Sequence, residues 1–160
     1  DRLMDVDLKG AINGSAVAVE AMKDQGFGAI YNVEGMGSND QLQPKFAIYG
    51  SAKRAVTYFS DALQKELEDA GIPIIVGKLS PGIMITDFLT SAGSSRNATK
   101  LDEATKKVYN ILGDYPDVIA KYLVGQIVKN KKPGVRISWL TKRKATFRFM
   151  TSGVRKRELL

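Results

Sequence analysis

The sequence predicts an α/β fold built on a parallel sheet. Short apolar runs, rich in β-branched residues, alternate with long amphipathic segments in the order helix, strand, helix, strand, helix, strand. The strand-like runs are nearly continuously apolar, as expected of a sheet covered on both faces. The length of 160 residues bounds the chain to one domain at most, large enough for a real core.

Taken in order, residues 3–25 read as a long helix. Leu3, Val6, Ala11, Ala18 and Met22 fall roughly on one stripe, and Gly26 with Gly28 ends it. Ala29-Ile30-Tyr31-Asn32-Val33 is a short buried strand, and residues 34–48 are a Gly-rich, polar loop. Residues 49–70 form a second long helix, with Ala52, Val56, Phe59, Leu63 and Leu67 on one face and Gly71 as its stop. Residues 72–79 are an apolar strand broken by Ser80-Pro81-Gly82. Residues 88–100 carry small polar residues and read as a mobile loop. A helix follows near 116–130, a third strand over 135–140, and a basic helical end over 142–159. In parallel α/β sheets ligands bind beyond the carboxyl ends of the strands, so the loops 34–48 and 80–100 are expected to line one site.

Composition removes several kinds of chemistry. The chain has no Cys and no His, so thiolate nucleophiles, disulfides, Ser-His-Asp catalysis and His- or Cys-ligated metals are excluded, and no metal site is expected. Neither a secretory signal nor an apolar run approaching the ~18–20 residues of a membrane span occurs in the sequence, and a cytoplasmic location is expected. Charge is uneven. Residues 1–128 carry a net −3, whereas residues 129–160 carry +10, with Glu158 the one acid among 11 Lys and Arg. A basic end of this kind suits either plain solvation or an anionic surface. Phe147, Met150 and Val154 can share one face of it, which resembles an interfacial helix more than a nucleic-acid reader.

The chemistry that remains centres on Tyr49-Gly50-Ser51-Ala52-Lys53. A spacing of four sets a phenol and an ammonium on one helical face, one turn apart. Tyrosine titrates near ~10, and a cation within a few ångströms is expected to lower that by about 1–3 units, giving an acid–base for an alcohol or carbonyl oxygen.

Four segments in order resemble the short-chain dehydrogenase/reductase family: Asp7-Leu8-Lys9-Gly10, Gly28 to Val33, Tyr49 to Lys53, and Ser80 to Asp87 with its Pro81-Gly82 and Thr86. Within that family, Asn32-Val33-Glu34-Gly35-Met36-Gly37-Ser38 is similar to the chlorophyll b reductase branch. The resemblance covers roughly residues 1–90 and implies the C-terminal part of a Rossmann-like, doubly wound parallel sheet. Residues 1–140 would form the partial oxidoreductase domain and residues 141–160 a basic helical tail. It implies an NAD(P)-dependent oxidoreductase that interconverts a carbonyl and an alcohol by hydride transfer. Tyr49 would exchange the proton, and Lys53 would tune Tyr49 and hold the ribose of an NAD or NADP cofactor. Asn32, Pro81, Gly82, Ile83 and Thr86 would lie along the cofactor, the latter group against its nicotinamide. It also implies a homo-oligomer formed through helices 3–25 and 49–70.

Two positions depart from the family pattern. Its catalytic serine falls at Met36, leaving Ser38 as the one hydroxyl candidate between Asn32 and Tyr49, and Asp7 stands where the family has a catalytic Asn. The family's Gly-rich cofactor turn has no counterpart upstream of Asp7, and the residue that reads the ribose 2′ position goes with it. Asp1, not Met, opens the sequence inside a helical pattern, so the chain is expected to be a piece of a longer protein. By itself it is expected to be inactive and to bind cofactor weakly, with the strand at 28–33 left as a sheet edge. The alternative is a catalytically silent fold that serves as a basic membrane-surface or protein-interaction module. Ile85, Phe88 and Leu89 hint at a lipophilic substrate.

Overall fold

The computed structural model describes residues 2–39, 42, 44, 46–86 and 102–160. They form two compact units: Asp1–Ser80 with Lys129–Ile137, and Pro81–Val128 with Ser138–Leu160.

The first unit opens on α1 (Arg2–Met4), a π-helical turn (Asp5–Lys9) and α2 (Gly10–Gln25), which together match the expected helix over 3–25. The π turn has no signature in the sequence. It is closed by the Gly10 N–H, which donates five residues back to Asp5 O. Gly26, at φ +80°, ends α2 by donating to Met22 O and Lys23 O. Val6 departs from the expected apolar stripe, because the π turn shifts the phase of the helix and leaves it 66% exposed.

Strands β1 (Gly28–Val33) and β2 (Ile74–Ser80) pair in parallel, with Ile30 opposite Val76. The 23-residue α3 (Ala47–Asp69) connects them and stops at Gly71, which takes φ +68°. Ile30, Ile74 and Val76 meet Val19 of α2 and Leu67 of α3 to form the core, with Ala18, Met22, Leu63 and Ile72 packed around it. On the opposite sheet face the Tyr31 ring covers Gly77; a Cβ there would meet the ring at 2.6 Å. Strand β3 (Arg136–Ser138) lies beside β2, giving the order β1-β2-β3. Strand β1 is therefore an edge of this sheet, as expected. Its burial alternates, however: Ile30 and Asn32 are buried while Val33 is 47% exposed. The expectation of burial on both faces holds for β2, whereas β1 has one neighbour strand among the described residues.

In the second unit, α4 (Glu103–Leu112) is a helix the sequence reading missed. Its signal was present in Asp102, whose carboxylate caps the Thr105 N–H at 2.7 Å. Helix α5 (Pro116–Lys129) matches expectation and buries Ile119 and Leu123. Helix α6 (Lys142–Thr151), capped by Thr141, is shorter than the expected 142–159. The chain leaves the helix at Ser152-Gly153 and folds back, so that Asn110 Oδ1 accepts from the N–H groups of Leu159 and Leu160. Val154 consequently shares no helix face with Phe147 and Met150. The expected mobile loop 88–100, with Phe88 and Leu89, and the expectation of a shared site that depends on it, lie outside the described residues.

Candidate active site

Five of the residues singled out from sequence belong to the first unit. Tyr49 sits in the first turn of α3, after the buried strand β1 and the loop that leaves it. Lys53 follows one turn later, its Nζ 5.7 Å from the centre of the Tyr49 ring. The Phe46 ring meets Tyr49 edge-on at 6.2 Å. The π turn carries Asp7 to this place, where its Oδ1 pairs with Lys53 Nζ at 2.9 Å. Both side chains are largely buried, at 12% and 24% exposure. This strengthens the pair relative to a surface one.

One expectation is reversed at Tyr49. Tyr49 is held above its ordinary value of 10.0, first by burial of the phenol and second by the Asp7 carboxylate. The sequence motif supplies the cation that should lower it, but Asp7 shares that charge.

The loop after β1 is pressed onto α3 by glycines. A Cβ on Gly35 would stand 2.3 Å from Tyr49 Oη. Gly37, at φ +97°, touches the backbone of Gly50, where a Cβ would sit 2.4 Å from the Gly50 Cα. Ser38 is buried in this loop. Its Oγ accepts from the Gly35 N–H at 3.1 Å and donates to Lys53 O at 3.2 Å, while Arg54 donates to Ser38 O. The hydroxyl thus ties loop to helix. Asn32 is also buried, its amide donating to Ser60 Oγ at 3.0 Å and Ser15 Oγ at 3.4 Å. It joins β1 to α2 and α3.

Glu34 was not anticipated. Its side chain is 2% exposed, salt-bridged to Arg136 through Nε at 2.6 Å and Nη2 at 2.8 Å, and bonded by Thr57 Oγ1 at 2.9 Å. No local pattern reveals it, because Arg136 lies 102 residues away. Nearby on β2, burial lowers the pKa of Lys78, which pairs with Asp61 of α3.

Pro81, Gly82, Ile83 and Thr86 belong to the second unit. Gly82 takes φ +74°, and a Cβ there would strike Leu140. Ile83 O accepts from the Asp114 N–H, and Ile85 N–H donates back to Asp114 O, so the segment runs as a short bridge beside residue 114. Asp114 is a second unanticipated hub. Its buried carboxylate takes Trp139 Nε1 at 2.7 Å, Arg148 at 2.7 Å and Arg157 at 2.6 Å. Burial alone would push this carboxyl up, but the bonds from Arg148, Trp139 and Arg157 outweigh burial and hold it below 3.8.

Residues 1–97 match the model of the short chain dehydrogenase family. The chain is 37% identical over 101 residues to the chlorophyll(ide) b reductase NOL, chloroplastic, of Arabidopsis thaliana, covering 62% of this chain and 27% of that protein. It is 28% identical over 156 residues to the probable chlorophyll(ide) b reductase NYC1, chloroplastic, of Oryza sativa, covering 97% of this chain and 29% of that protein. The chain thus spans under a third of the length of these relatives. A short-chain dehydrogenase/reductase of unknown function from Caenorhabditis elegans, solved with cofactor, superimposes with a TM-score of 0.64 at 22% identity, over 89% of this chain and 56% of that one. This likeness shows the Rossmann-like α/β fold. With the family model matched over residues 1–97, the chain belongs to the short-chain dehydrogenase family and is similar within it to the chlorophyll b reductase branch.

Proposed function

We propose that this chain is the catalytic part of an NAD(P)-dependent oxidoreductase that interconverts a carbonyl and an alcohol. One observation carries the reading: Tyr49 and Lys53 lie one turn apart on α3, 5.7 Å from ring centre to Nζ, in a chain whose first 97 residues match the family. The residues fit a nicotinamide nucleotide. Tyr49 Oη and Lys53 Nζ form the donor set that a ribose diol takes, and Gly35 leaves backbone alone beside the phenol. When bound, the cofactor supplies or accepts the hydride.

In the direction of reduction, Tyr49 gives its phenolic proton to the substrate oxygen. Lys53 then faces the phenolate left behind, and Asp7 holds the ammonium in place through its 2.9 Å pair. Ser38 fixes the loop against Lys53 O; it would orient a substrate oxygen only by giving up that bond. Asn32 acts from beneath, by fixing the end of β1. Pro81, Gly82, Ile83 and Thr86 are assigned to the nicotinamide end on family resemblance. The relatives' names suggest a large, lipophilic carbonyl substrate. The test is Tyr49→Phe in the full protein: turnover should fall ~10²–10⁴-fold, with cofactor affinity changed far less because Lys53 remains. Wild-type turnover in that variant would refute the assignment.

Self-association through α2 and α3 accompanies this reading, supported by Val17 and Tyr58, 72% and 77% exposed on those helices. Light scattering at a single-chain mass across the micromolar range would remove it. The second reading, a silent basic module at an anionic membrane, draws on the Asp7–Lys53 pair and on the exposed Phe147 and Met150 of α6. Among the described residues no helix is long and apolar enough to cross a membrane, so this contact would be peripheral. The cytoplasmic location expected from sequence stands against relatives named chloroplastic; imaging the tagged full protein decides between them.

A further inference from the structure

The second unit contains a cleft that the reaction above does not use. Helix α4 forms one wall, and α6 with the folded-back end of the chain forms the other. Four Lys and three Arg line it against two Glu. The walls are fixed rather than loosely solvated. Arg148 and Arg157 both pair with the buried Asp114, and they also donate to Leu112 O at 2.9 Å and Ile111 O at 3.0 Å. Asn110 holds the last two residues in place. One carboxylate faces these two guanidinium groups, and the cleft stays strongly positive. Lys144 rests over the Trp139 ring at the same place. Among the described residues no carboxylate pairs with Lys107, Lys144, Arg155 or Lys156.

We propose that this cleft binds a phosphate group. The fixed Arg148 and Arg157 add positive charge to the wall, while Arg155 and the clustered lysines supply donors for the tetrahedral oxygens of a phosphate. A dianionic phosphate also offsets more of the surplus than a carboxylate does. A supporting sign comes from Lys144, which burial and the neighbouring Arg148 pull down to about 8. An anion in the cleft would reverse that and draw a proton onto Lys144. The phosphate could be that of a small soluble molecule or of a lipid headgroup, and the chemistry of the cleft is shared by both.

Calorimetric titration of the 160-residue chain with inorganic phosphate at pH 8, in two buffers of different ionisation heat, tests this. Saturable binding with net proton uptake is expected. Lys144→Gln should weaken it about tenfold and abolish the uptake, and Arg155→Gln, on the exposed end segment, should weaken it about three- to tenfold. Lys121→Gln, outside the cleft, should change neither. Sedimentation with phosphatidylcholine vesicles containing phosphatidic acid separates the sources. Lys144-dependent recruitment to these, and not to pure phosphatidylcholine, assigns a headgroup; phosphate binding without recruitment assigns a soluble ligand. Absence of saturable phosphate binding together with absence of recruitment overturns the proposal. So does binding unchanged in both variants, or tighter Lys144-independent binding of a single-stranded oligonucleotide.

Discussion

Replacing Asp7 by Asn should lower the pKa of Tyr49 relative to wild type. In the structure Asp7 acts on Tyr49 twice: its own charge disfavours the phenolate, and it occupies the ammonium that would favour it. Asn keeps the size and removes the charge. Lys53 Nζ lies 5.7 Å from the ring centre, so at an effective dielectric of about 20 the released attraction is about 3 kcal/mol. Solvent reaching the half-buried phenol roughly halves this, which leaves a drop of about 1 pKa unit. The assay is phenolate absorbance near ~295 nm during an alkaline titration, taken as the difference between the chain and its Tyr49→Phe variant to isolate one tyrosine among six. The wild-type difference should titrate above 10.0, and the same difference in the Asp7→Asn background should titrate at lower pH than wild type. An Asp7→Asn curve that coincides with wild type or moves to higher pH would refute the charge-sharing argument. For catalysis the sign is definite. Reduction needs the protonated phenol, so its alkaline limb should lie above pH 10.0 in wild type and move to lower pH in Asp7→Asn.

Four further outcomes rest on other contacts. Gly37→Ala forces a side chain into a φ of +97° and against the Gly50 backbone, which should cost about 2–3 kcal/mol in a urea titration, while Gly35→Ala should displace the Tyr49 tip and cut turnover of the full protein ~10²-fold. Glu34→Gln leaves Arg136 without its carboxylate; because Arg136 is 43% exposed and can turn to water, the expected loss is about 2 kcal/mol rather than the larger cost of a fully buried charge, read from the same titration. Asp114 has a folded pKa below its free value of 3.8, so its contribution is complete above that value and is lost as pH falls through the lower, folded one. The second unit should therefore loosen at pH below about 3.8, seen as a red shift of Trp139 fluorescence, and Asp114→Asn should show the shifted spectrum at neutral pH.

The parts of this molecule that were legible in the sequence are those specified by near neighbours. Apolar runs and glycine stops gave β1, α3, β2 and α5 to within a few residues, because periodicity and backbone freedom act locally. The Tyr49–Lys53 pair was legible for the same reason, since one helical turn separates them. Its electrostatic sign was not. That depends first on burial of the phenol and second on a carboxylate 46 positions before Lys53, brought over by a π turn that no pattern marks. Glu34 with Arg136, and Asp114 with Arg157, are likewise long-range meetings of charges that each look like ordinary surface residues in sequence. Helix α6 was overextended because the basic residues after Thr151 are good helix formers; their contacts with α4 won over propensity.

The three-strand order has a consequence for how β1 exchanges its amide hydrogens. Glu34 N–H donates to Leu79 O, so by the alternation of a strand the N–H groups of Ile30 and Asn32 also turn toward β2, and those of Ala29, Tyr31 and Val33 turn outward. Within six residues the backbone should therefore sort into two kinetic classes, slow and fast, residue by residue. Any partner strand that laid itself along the outer side would erase the distinction, so the odd-numbered amides of β1 report directly on whether this sheet has gained a neighbour.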